Sequence, residues 1–556
     1  MQRRWTEGAK TVARRLFGLL PSRNDFMPMR HSPGRDLLAG LTVAIIALPL
    51  ALAFGVASGL GAQAGLTTAV IAGALAAIFG GSNLQVSGPT GAMTVVLIPV
   101  VLQFGPAGVL QVGVMAGIIL LLLSVSGIGQ WVRYLPSSLV EGFTAGIAVV
   151  IALQQVPNML GVEPGKQERI IELAVDAIAR YLQAPALAPI LITGGVAAAI
   201  LLGARWRPAL PFSFFAVAAA TAAAFFLTPE LGVVGELPRG IPAPSVGFFD
   251  HEAWGALLPS ALAVAALAAL ESLLSATVAD AMSVGQKHNP DRELFGQGIA
   301  NLVVPFFGGV PATAAIARTA VNVRAGARSR LSSFSHSIVL LLFVLVAAPL
   351  VGVIPLAALA GVLLATTVQM VQVGGIRSIL RSSRGDAIVL IVTFAVTVLI
   401  DLVSAVLAGL VLAGIVALRA VARSAQVSRV PLDETDYADE EQSLLDDRIV
   451  AFRLDGALFF GAAHRFLLEL SEVTDVAVVI LRMSRLSTID ATGALMLDDA
   501  IVKLEKRGIT VLLSGIQQGH RKVLLALTSA PRLKKAGKVF ATTPEAIAHA
   551  RMLAAK

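Results

Sequence analysis

Long apolar stretches dominate the chain up to about residue 424. Leu187–Leu202 and Ile338–Leu350 are uncharged and mostly apolar over a length that a soluble core does not need. A helix that crosses a bilayer takes about 20 predominantly apolar residues, so the region 36–424 predicts roughly 12 to 14 membrane helices. They are expected to start near Leu37, Gly65, Thr90, Ala107, Leu139, Leu187, Pro211, Leu257, Leu294, Ala312, Ser332, Pro355, Asp386 and Leu402.

The pattern changes after residue 424. Residues 425–447 contain the acidic run VPLDETDYADEEQSLLDD and predict a linker, and residues 448–556 predict a soluble α/β domain. VAVVILRM (Val476–Met483) has the pattern of a buried strand. ATGALMLDDAIVKLEKRG is periodic like a helix and ends at Gly508, before a second strand at ITVLLSG (Ile509–Gly515). The order strand, helix, strand predicts a parallel pair.

One membrane segment is interrupted by polar residues and glycine. GGSNLQVSGPTGAMTVV (Gly80–Val96) lies between two apolar runs. Irregular backbone at membrane depth is tolerated only where it is buried in protein or lines a cavity. The part NLQVS favours an extended chain, and Gly88-Pro89 favours the start of a short helix, since proline suits the first helical turn. Such a helix would direct its free N–H groups and its positive dipole end into the protein.

The second half of the chain has a corresponding interruption. In VVPFFGGVPATAAIARTAVN (Val303–Asn322), Gly308, Gly309 and Pro311 break the apolar run, and small residues follow at a new helix start. Two such segments in corresponding halves indicate a midplane site in an inverted-repeat transporter. Opposed helix N-termini favour an anion, and Arg318, placed about two turns into the second helix, would add a positive charge. The alternative is a pair of kinked helices with a purely structural role.

Few ionisable residues occur within the apolar runs, and each is a functional candidate. Glu271 interrupts LAVAALAALESLLSATVADAM, and Ser275 lies one turn later on the same helical face. Glu271 could pair with Arg318 or take up a proton; a structural ion pair is the alternative. Arg318, if buried without a partner, would cost several kcal/mol, which a carboxylate or a bound anion would offset.

Charge and composition restrict the other classes of function. Residues 1–35 form a basic arm, which the positive-inside rule places in the cytoplasm. The net charge of +8 fits cytoplasmic loops near anionic lipid. Because the sequence has no basic soluble domain, no nucleic-acid partner is predicted. With no cysteine, disulfides and thiol catalysis are excluded. There is no Walker A loop, HExxH or GxSxG motif, and the seven histidines form no metal-ligand pattern. No enzyme activity, cofactor or metal is predicted.

Several motifs in order resemble the SulP anion permeases, the solute carrier 26 type. They are PLALAFGVASG, LQVSGPTGAM, ESLLSATVADAM, ARTAVN and DLVSAVLAG, and the tail resembles a STAS domain. The resemblance implies 14 membrane segments as a seven-plus-seven inverted repeat, a core domain that moves against a gate domain, a cytoplasmic STAS domain and a homodimer. It places an anion site at Phe54, Thr90, Gly91, Ala315, Ile316, Ala317 and Arg318, and matches Glu271 to an acidic position on the eighth helix.

The chain departs from some members at positions that bear on coupling. Leu50 stands where some animal members have glutamine, and Ser275 stands where a sodium-coupled bicarbonate permease has aspartate. A Na⁺ site needs several oxygens and gains from a negative charge, so the sequence favours H⁺ over Na⁺ as the coupling ion, with Glu271 and Ser275 as the coupling positions. In soluble STAS relatives the place of Thr492 carries a phosphorylatable residue; the alternative is that Asp490 and Thr492 simply cap a helix.

Together these observations predict a secondary active transporter in the inner (plasma) membrane, with both termini cytoplasmic. The anion is expected to be a C4-dicarboxylate, bicarbonate or sulfate, bound at the midplane and passed by rocking or elevator motion of one domain against the other. Two alternatives stay open. One is an uncoupled anion channel or exchanger on the same fold, and the other is a membrane signalling scaffold whose STAS domain binds a cytoplasmic regulator.

Overall fold

The computed structural model describes residues 18–130, 136–163, 165, 167, 169–207, 210–228, 230–283, 287–424, 426–429, 448–458, 476–527 and 530–554. Most of the predicted basic arm, at residues 1–17, and most of the predicted linker, at residues 430–447, lie outside this set. Internal contacts divide the chain into two units, Met1–Leu410 and Val411–Lys556. Each unit is described by itself.

The first unit consists of apolar helices in two consecutive sets. Nine helices in the described part of the chain are long and apolar enough to cross a membrane. The first set contains α1 (Arg23–Phe26), α2 (Pro33–Ala57), α3 (Ala62–Phe79), β1 (Ser87–Gly88), α4 (Gly91–Ser126), α5 (Ser137–Gln154), α6 (Val156–Leu160), α7 (Ile170–Gln183), α8 (Leu187–Trp206) and α9 (Phe212–Leu227). The second set contains α10 (Trp254–Met282), α11 (Pro290–Val303), β2 (Thr313–Ala314), α12 (Ile316–Arg324), α13 (Arg330–Gly352), α14 (Leu356–Met370), α15 (Val373–Ser382), α16 (Arg384–Leu399) and α17 (Leu402–Ser424). The boundary between the two units falls within α17, after Leu410.

The helix α4 is two membrane segments joined by a kink. Gly105 has φ 65° and ψ −172°, and Pro106 follows it, so the helical hydrogen bonds are interrupted there. With α4 counted as two, the described residues supply seven segments in each set: α2, α3, α4, α5, α8 and α9, and then α10, α11, α12, α13, α14, α16 and α17. Because seven is odd, the second set runs through the bilayer in the opposite sense. The predicted fold class is confirmed.

Helix contacts group the segments into two bundles. In the core bundle, α4 packs on α10 and α11, while α13 packs on α2 and α3. In the gate bundle, α5 packs on α14 and α16, and α8 packs on α14 and α9. Each bundle draws helices from both sets, as an inverted repeat requires. The interrupted segments both belong to the core bundle.

The predicted helix starts lie within four residues of the observed ones, and one of the four-residue shifts is informative. A helix was expected from about Ala312, but α12 begins at Ile316. Residues 313–314 instead pair with residues 87–88 as two-stranded antiparallel sheet. As a result, Arg318 lies in the first turn of α12 and not two turns into it. The expectation for Arg318 was wrong in a direction that brings its charge closer to the helix N-terminus.

The second unit contains an α/β fold. Its strands are β3 (Gln426–Arg429), β4 (Ile449–Leu458), β5 (Val478–Arg482), β6 (Leu486–Ile489), β7 (Thr510–Ser514) and β8 (Val539–Phe540), and its helices are α18 (Ala491–Lys506), α19 (Gln518–Leu527), α20 (Ala530–Lys535) and α21 (Thr543–Ala554). The sheet order is β3-β4-β5-β7-β8, with β6 paired to β4. The predicted pair β5 and β7 is parallel. The antiparallel strand β3 lies inside the segment expected to be linker, so the sheet begins earlier in the chain than residue 448.

Two glycines, Gly55 on α2 and Gly65 on α3, allow these two helices of the core bundle to approach closely. A Cβ atom on Gly65 would lie 1.9 Å from the carbonyl oxygen of Ala51 and 2.8 Å from the Cα of Gly55. Both neighbours are backbone atoms, so the helices themselves would have to move apart. Close approach through small residues is a common device for packing helices in membranes.

Gly65→Ala should therefore destabilise the core bundle by about 1–3 kcal/mol, the range for overpacking a filled interior. The measurement is the apparent melting temperature of the purified protein, followed by size-exclusion chromatography after heating. Gly194→Ala is the matched control, because a Cβ atom on Gly194 meets nothing within 4 Å. Equal melting temperatures for the two variants would contradict this account of the α2–α3 contact.

Candidate functional site

The two interrupted segments meet in the middle of the core bundle. Ser87 pairs with Ala314 and Gly88 with Thr313, so β1 and β2 run antiparallel. The backbone N–H of Ala315 also donates to the carbonyl of Val86, at 3.1 Å. The helices α4 and α12 begin directly after these strands. The predicted meeting of the two interrupted segments is confirmed.

Side chains from the neighbouring helices complete the hydrogen bonding of this irregular backbone. The amide of Asn301 on α11 clamps Ala312 from both sides: its Oδ1 accepts from the Ala312 N–H at 2.7 Å, and its Nδ2 donates to the Ala312 carbonyl at 2.9 Å. Gln297, one turn earlier on α11, donates to the Ser87 hydroxyl at 2.7 Å. Asn301 and Gln297 are fully buried.

Hydroxyl groups from α10 and α12 supply further partners. The Ser272 hydroxyl accepts from the Ala314 N–H at 3.2 Å, and the Thr319 hydroxyl accepts from the Val86 N–H at 3.1 Å. An unpaired backbone group in a bilayer costs several kcal/mol. By pairing these backbone groups, the side chains remove the free-energy cost of extended backbone at membrane depth. They also fix where α4 and α12 begin.

Both helix N-termini at the strand pair lack a side-chain cap. Thr90 is the N-cap residue of α4, but its hydroxyl makes no cap hydrogen bond. Ala315 is the N-cap residue of α12 and has no polar side chain to offer. The first N–H groups of a helix have no partner within it, and they carry the positive end of the helix dipole. Two uncapped N-termini that begin beside the same strand pair favour negative charge.

Arg318 brings a full positive charge to this place. Its side chain is 2% exposed, and its Nη2 donates to the carbonyl of Pro89 at 2.8 Å. Nη1 is buried and has no hydrogen-bond partner. Gly88 makes room for it, because a Cβ atom there would lie 2.5 Å from Nη1. A buried guanidinium with a free donor is a strong binding group for carboxylate or another oxyanion.

Glu271 lies on α10 beside the first helix start. The Thr90 hydroxyl donates to Glu271 Oε2 at 3.0 Å. No ion pair within 4.0 Å joins Glu271 to Arg318, so the direct pair that the sequence allowed is not formed. Ser275, one turn later, is buried and donates to the Thr319 hydroxyl at 2.9 Å. Its hydroxyl hydrogen is thus committed to α12.

The remaining residues predicted for the anion site differ in burial: those on α2 and α4 are buried, whereas those at the start of α12 are partly or fully exposed. Phe54 on α2 is 6% exposed, and its ring reaches α4: its Cε1 would lie 3.3 Å from a Cβ atom on Gly91. Gly91 itself is buried. Ala315 is half-buried, whereas Ile316 and Ala317 are exposed at the start of α12. The structure therefore gathers Phe54, Thr90, Gly91, Glu271 and Arg318 beside a helix start whose first two residues are exposed.

The two predicted residues in the α/β unit lie at the start of α18. Asp490 is its N-cap residue and accepts from the Gly493 N–H at 2.6 Å. Thr492 is exposed in the first turn. Asp490 thus has the capping role that the sequence left as an alternative.

The residues that hold the site's backbone were missed in the sequence. Gln297 and Asn301 lie four positions apart in GQGIANLV, and Ser272 lies on α10. Polar side chains at helical spacing within an apolar helix are a usable signal, since such residues face the bundle interior. A search for charged residues does not find them, because neutral amides and hydroxyls satisfy the broken backbone.

Comparison with known sequences identifies the family. A profile of the sulfate permease family matches residues 34–393, and a STAS domain profile matches residues 444–546. The chain belongs to the sulfate permease family. It is an anion transporter of the SulP and solute carrier 26 type and not an enzyme.

Individual relatives extend over most of the chain. YvdB of Bacillus subtilis is 34% identical over 497 residues, which cover 88% of this chain and 93% of that protein. The bicarbonate transporter BicA of Picosynechococcus is 31% identical over 510 residues, covering 88% and 90%. The solved transmembrane domain of a cyanobacterial BicA is 32% identical, with a TM-score of 0.62, and covers 67% of this chain and 97% of that one.

A more distant structure shares the fold over almost the full length. Murine solute carrier 26 member A9, solved in an inward-facing state, superposes with a TM-score of 0.85 at 19% identity and covers 97% of this chain and 94% of that one. At this identity the likeness shows the fold alone. It agrees with the combination of membrane unit and α/β unit found here.

Arg318→Gln should weaken anion binding by about 1.5–3 kcal/mol, the range for a hydrogen bond to a charged group, or roughly tenfold to hundredfold in Kd. The measurement is the binding of the transported anion to the purified protein by isothermal titration calorimetry. Arg324→Gln is the control, because it removes the same charge from the exposed end of the same helix. An unchanged Kd for Arg318→Gln would contradict the assignment of Arg318 to the anion site.

Proposed function

We propose that the chain is a proton-coupled secondary transporter for a small oxyanion of the C4-dicarboxylate, bicarbonate or sulfate class. The observation that carries this proposal is the buried Arg318 guanidinium, whose Nη1 has no partner, beside two uncapped helix N-termini. All three groups favour negative charge, and none is neutralised by an ion pair. The core bundle would carry the anion past the gate bundle by an elevator or rocking motion, as expected for a midplane site in an inverted repeat.

Coupling to protons follows from the place of Glu271. Its carboxylate hydrogen-bonds Thr90, the N-cap residue of α4, and so lies next to the anion's place. An ionised Glu271 repels an arriving anion, whereas a protonated one does not. Proton and anion therefore strengthen each other's binding, and this reciprocal coupling is typically about 1–3 kcal/mol. Co-binding of this sign gives symport.

Several further parts belong to the proposal. The coupling ion is H⁺ and not Na⁺, because Ser275 bonds Thr319 and offers no charge to a cation. The homodimer and the inner membrane are part of the proposal because the family resemblance implies them. Both termini are cytoplasmic in the proposal, since an even number of segments returns the tail to the side of the basic arm. Thr492, exposed at a helix start, is a candidate phosphorylation position through which a cytoplasmic regulator would act on the STAS domain.

Uptake into proteoliposomes tests the substrate class and the coupling together. Labelled fumarate, succinate, sulfate and bicarbonate are supplied with and without an inward proton gradient, in sodium or choline buffer. We expect saturable uptake of at least one anion, faster with the proton gradient and unchanged by sodium. Sodium-dependent uptake that ignores pH would overturn the coupling, and flux that never saturates would favour a channel.

Glu271→Gln keeps the shape of the protonated carboxyl but cannot lose a proton. We expect the variant to bind the anion at neutral pH at least as tightly as the unaltered protein, and to lose the acceleration of uptake by an inward proton gradient. Glu252→Gln is the control, since Glu252 is exposed just before the same helix. If Glu271→Gln kept the full response to the gradient, Glu271 would not be the coupling group.

A further inference from the structure

A second group of positive charges lies in the core bundle, apart from Arg318. Arg292 in the first turn of α11 is 8% exposed, and Arg330 in the first turn of α13 is 2% exposed. A cation at a helix N-terminus is unfavourable, because it adds to the positive end of the dipole. Two buried arginines at two helix starts would therefore be stabilised by a negatively charged group beside them.

The two arginines differ in how far the protein satisfies them. Arg330 Nη1 donates to the carbonyl of Gly80, at 2.7 Å, and its Nε donates to Asn83 Oδ1 at 2.9 Å. Arg292 has one side-chain partner through Nη1, while its Nε and Nη2 are buried without any. The neighbouring carboxylate of Glu293 does not complete it, because that group accepts from the N–H groups of Gly81 and Ser82. Arg292 thus retains two donors for an anion.

The present occupant is a carboxylate from the segment before the membrane. Asp25 on α1 accepts from Arg292 Nη1 at 2.7 Å, and its Oδ1 lies 3.8 Å from Arg330 Nη2. Burial would raise the pKa of Asp25, but the hydrogen bonds from Arg292 and Ser22 outweigh it and hold the pKa well below its usual range. Asp25 is therefore ionised at any physiological pH.

Few buried side chains hold this segment in place. Neither α1 nor the 3₁₀ turn Met27–Arg30 contributes a buried residue, and Leu19, just before α1, is the nearest buried apolar side chain on the N-terminal side. For α1 itself, the bond from Arg292 to Asp25 is therefore a principal attachment to the core bundle. An ion with more oxygens and more charge than a carboxylate could compete for the same arginines.

We propose that Arg292 and Arg330 form a second oxyanion site, which Asp25 fills until a free phosphate or sulfate group displaces it. A tetrahedral oxyanion reaches the two Arg292 donors that Asp25 leaves unpaired, and its binding releases α1 from the core bundle. The group could come from a soluble ion or from the headgroup of an anionic lipid, since both present the same oxygens. The inference does not depend on which anion the protein transports.

The absence of cysteine makes the segment's position measurable in the full-length protein. Asn24→Cys and Ala281→Cys, both at exposed positions, carry spin labels on α1 and at the end of α10. Double electron–electron resonance then reports the distance between them during titration with sodium sulfate, against sodium chloride at equal ionic strength. We expect a longer distance whose population grows saturably with sulfate and not with chloride. The same response to both salts, or none to sulfate, would overturn the proposal.

Variants separate this site from the others. Asp25→Asn should show the long distance without sulfate, whereas Arg30→Gln, an exposed charge on the same segment, should behave as the unaltered protein. In an Arg318→Gln background the sulfate response should persist; its loss would place the effect at the first site and overturn the inference.

Nanodiscs that contain phosphatidylglycerol or only phosphatidylcholine, without sulfate, distinguish a lipid headgroup from a soluble ion as the source of the oxyanion. The long distance in the former alone assigns a lipid headgroup, and its absence from both assigns the soluble ion.

Discussion

The arrangement depends on one constraint: extended backbone inside a bilayer must find every hydrogen bond within the protein. Two short strands solve part of this by pairing with each other across the two halves of the chain. Asn301, Ser272 and Thr319 solve much of the rest from the flanking helices. Because the chain is extended only up to those clamps, two helices must begin there. The proposed anion site is thus a consequence of how the broken backbone is satisfied.

The same clamps explain why the site is electrically positive and still stable. Uncapped helix starts and Arg318 would repel one another if they were free to move. The carbonyl of Pro89 holds the guanidinium, and Thr90 turns its hydroxyl to Glu271 and not to its own helix. Because the Thr90 hydroxyl bonds Glu271, it does not cap α4, and the first N–H groups of α4 keep no side-chain partner from Thr90. It also places the carboxylate of Glu271 beside the proposed anion site, which is the structural basis of the proposed coupling.

The membrane helices, the two interruptions and the α/β tail were predictable because each leaves a strong local pattern. The apolar run at Leu187 is typical of a membrane helix, and Gly508 is a common helix-stop signal. The start of α12 was misplaced because small residues such as Ala312 and Ala315 suit helix and strand alike. Strand pairing across more than two hundred residues decided the matter. No local sequence pattern indicates a pairing partner so far along the chain, and none predicts the contact between Asp25 and Arg292.

The central claim is that one anion is held between the starts of α4 and α12 by Arg318. The most direct test is a cryo-electron microscopy map of the full chain in lipid nanodiscs with the transported anion at saturation, against a map without it. The account predicts one added density within hydrogen-bonding distance of Arg318 Nη1 and the first N–H groups of both helices. Added density elsewhere in the core bundle, with this place unchanged, would contradict it.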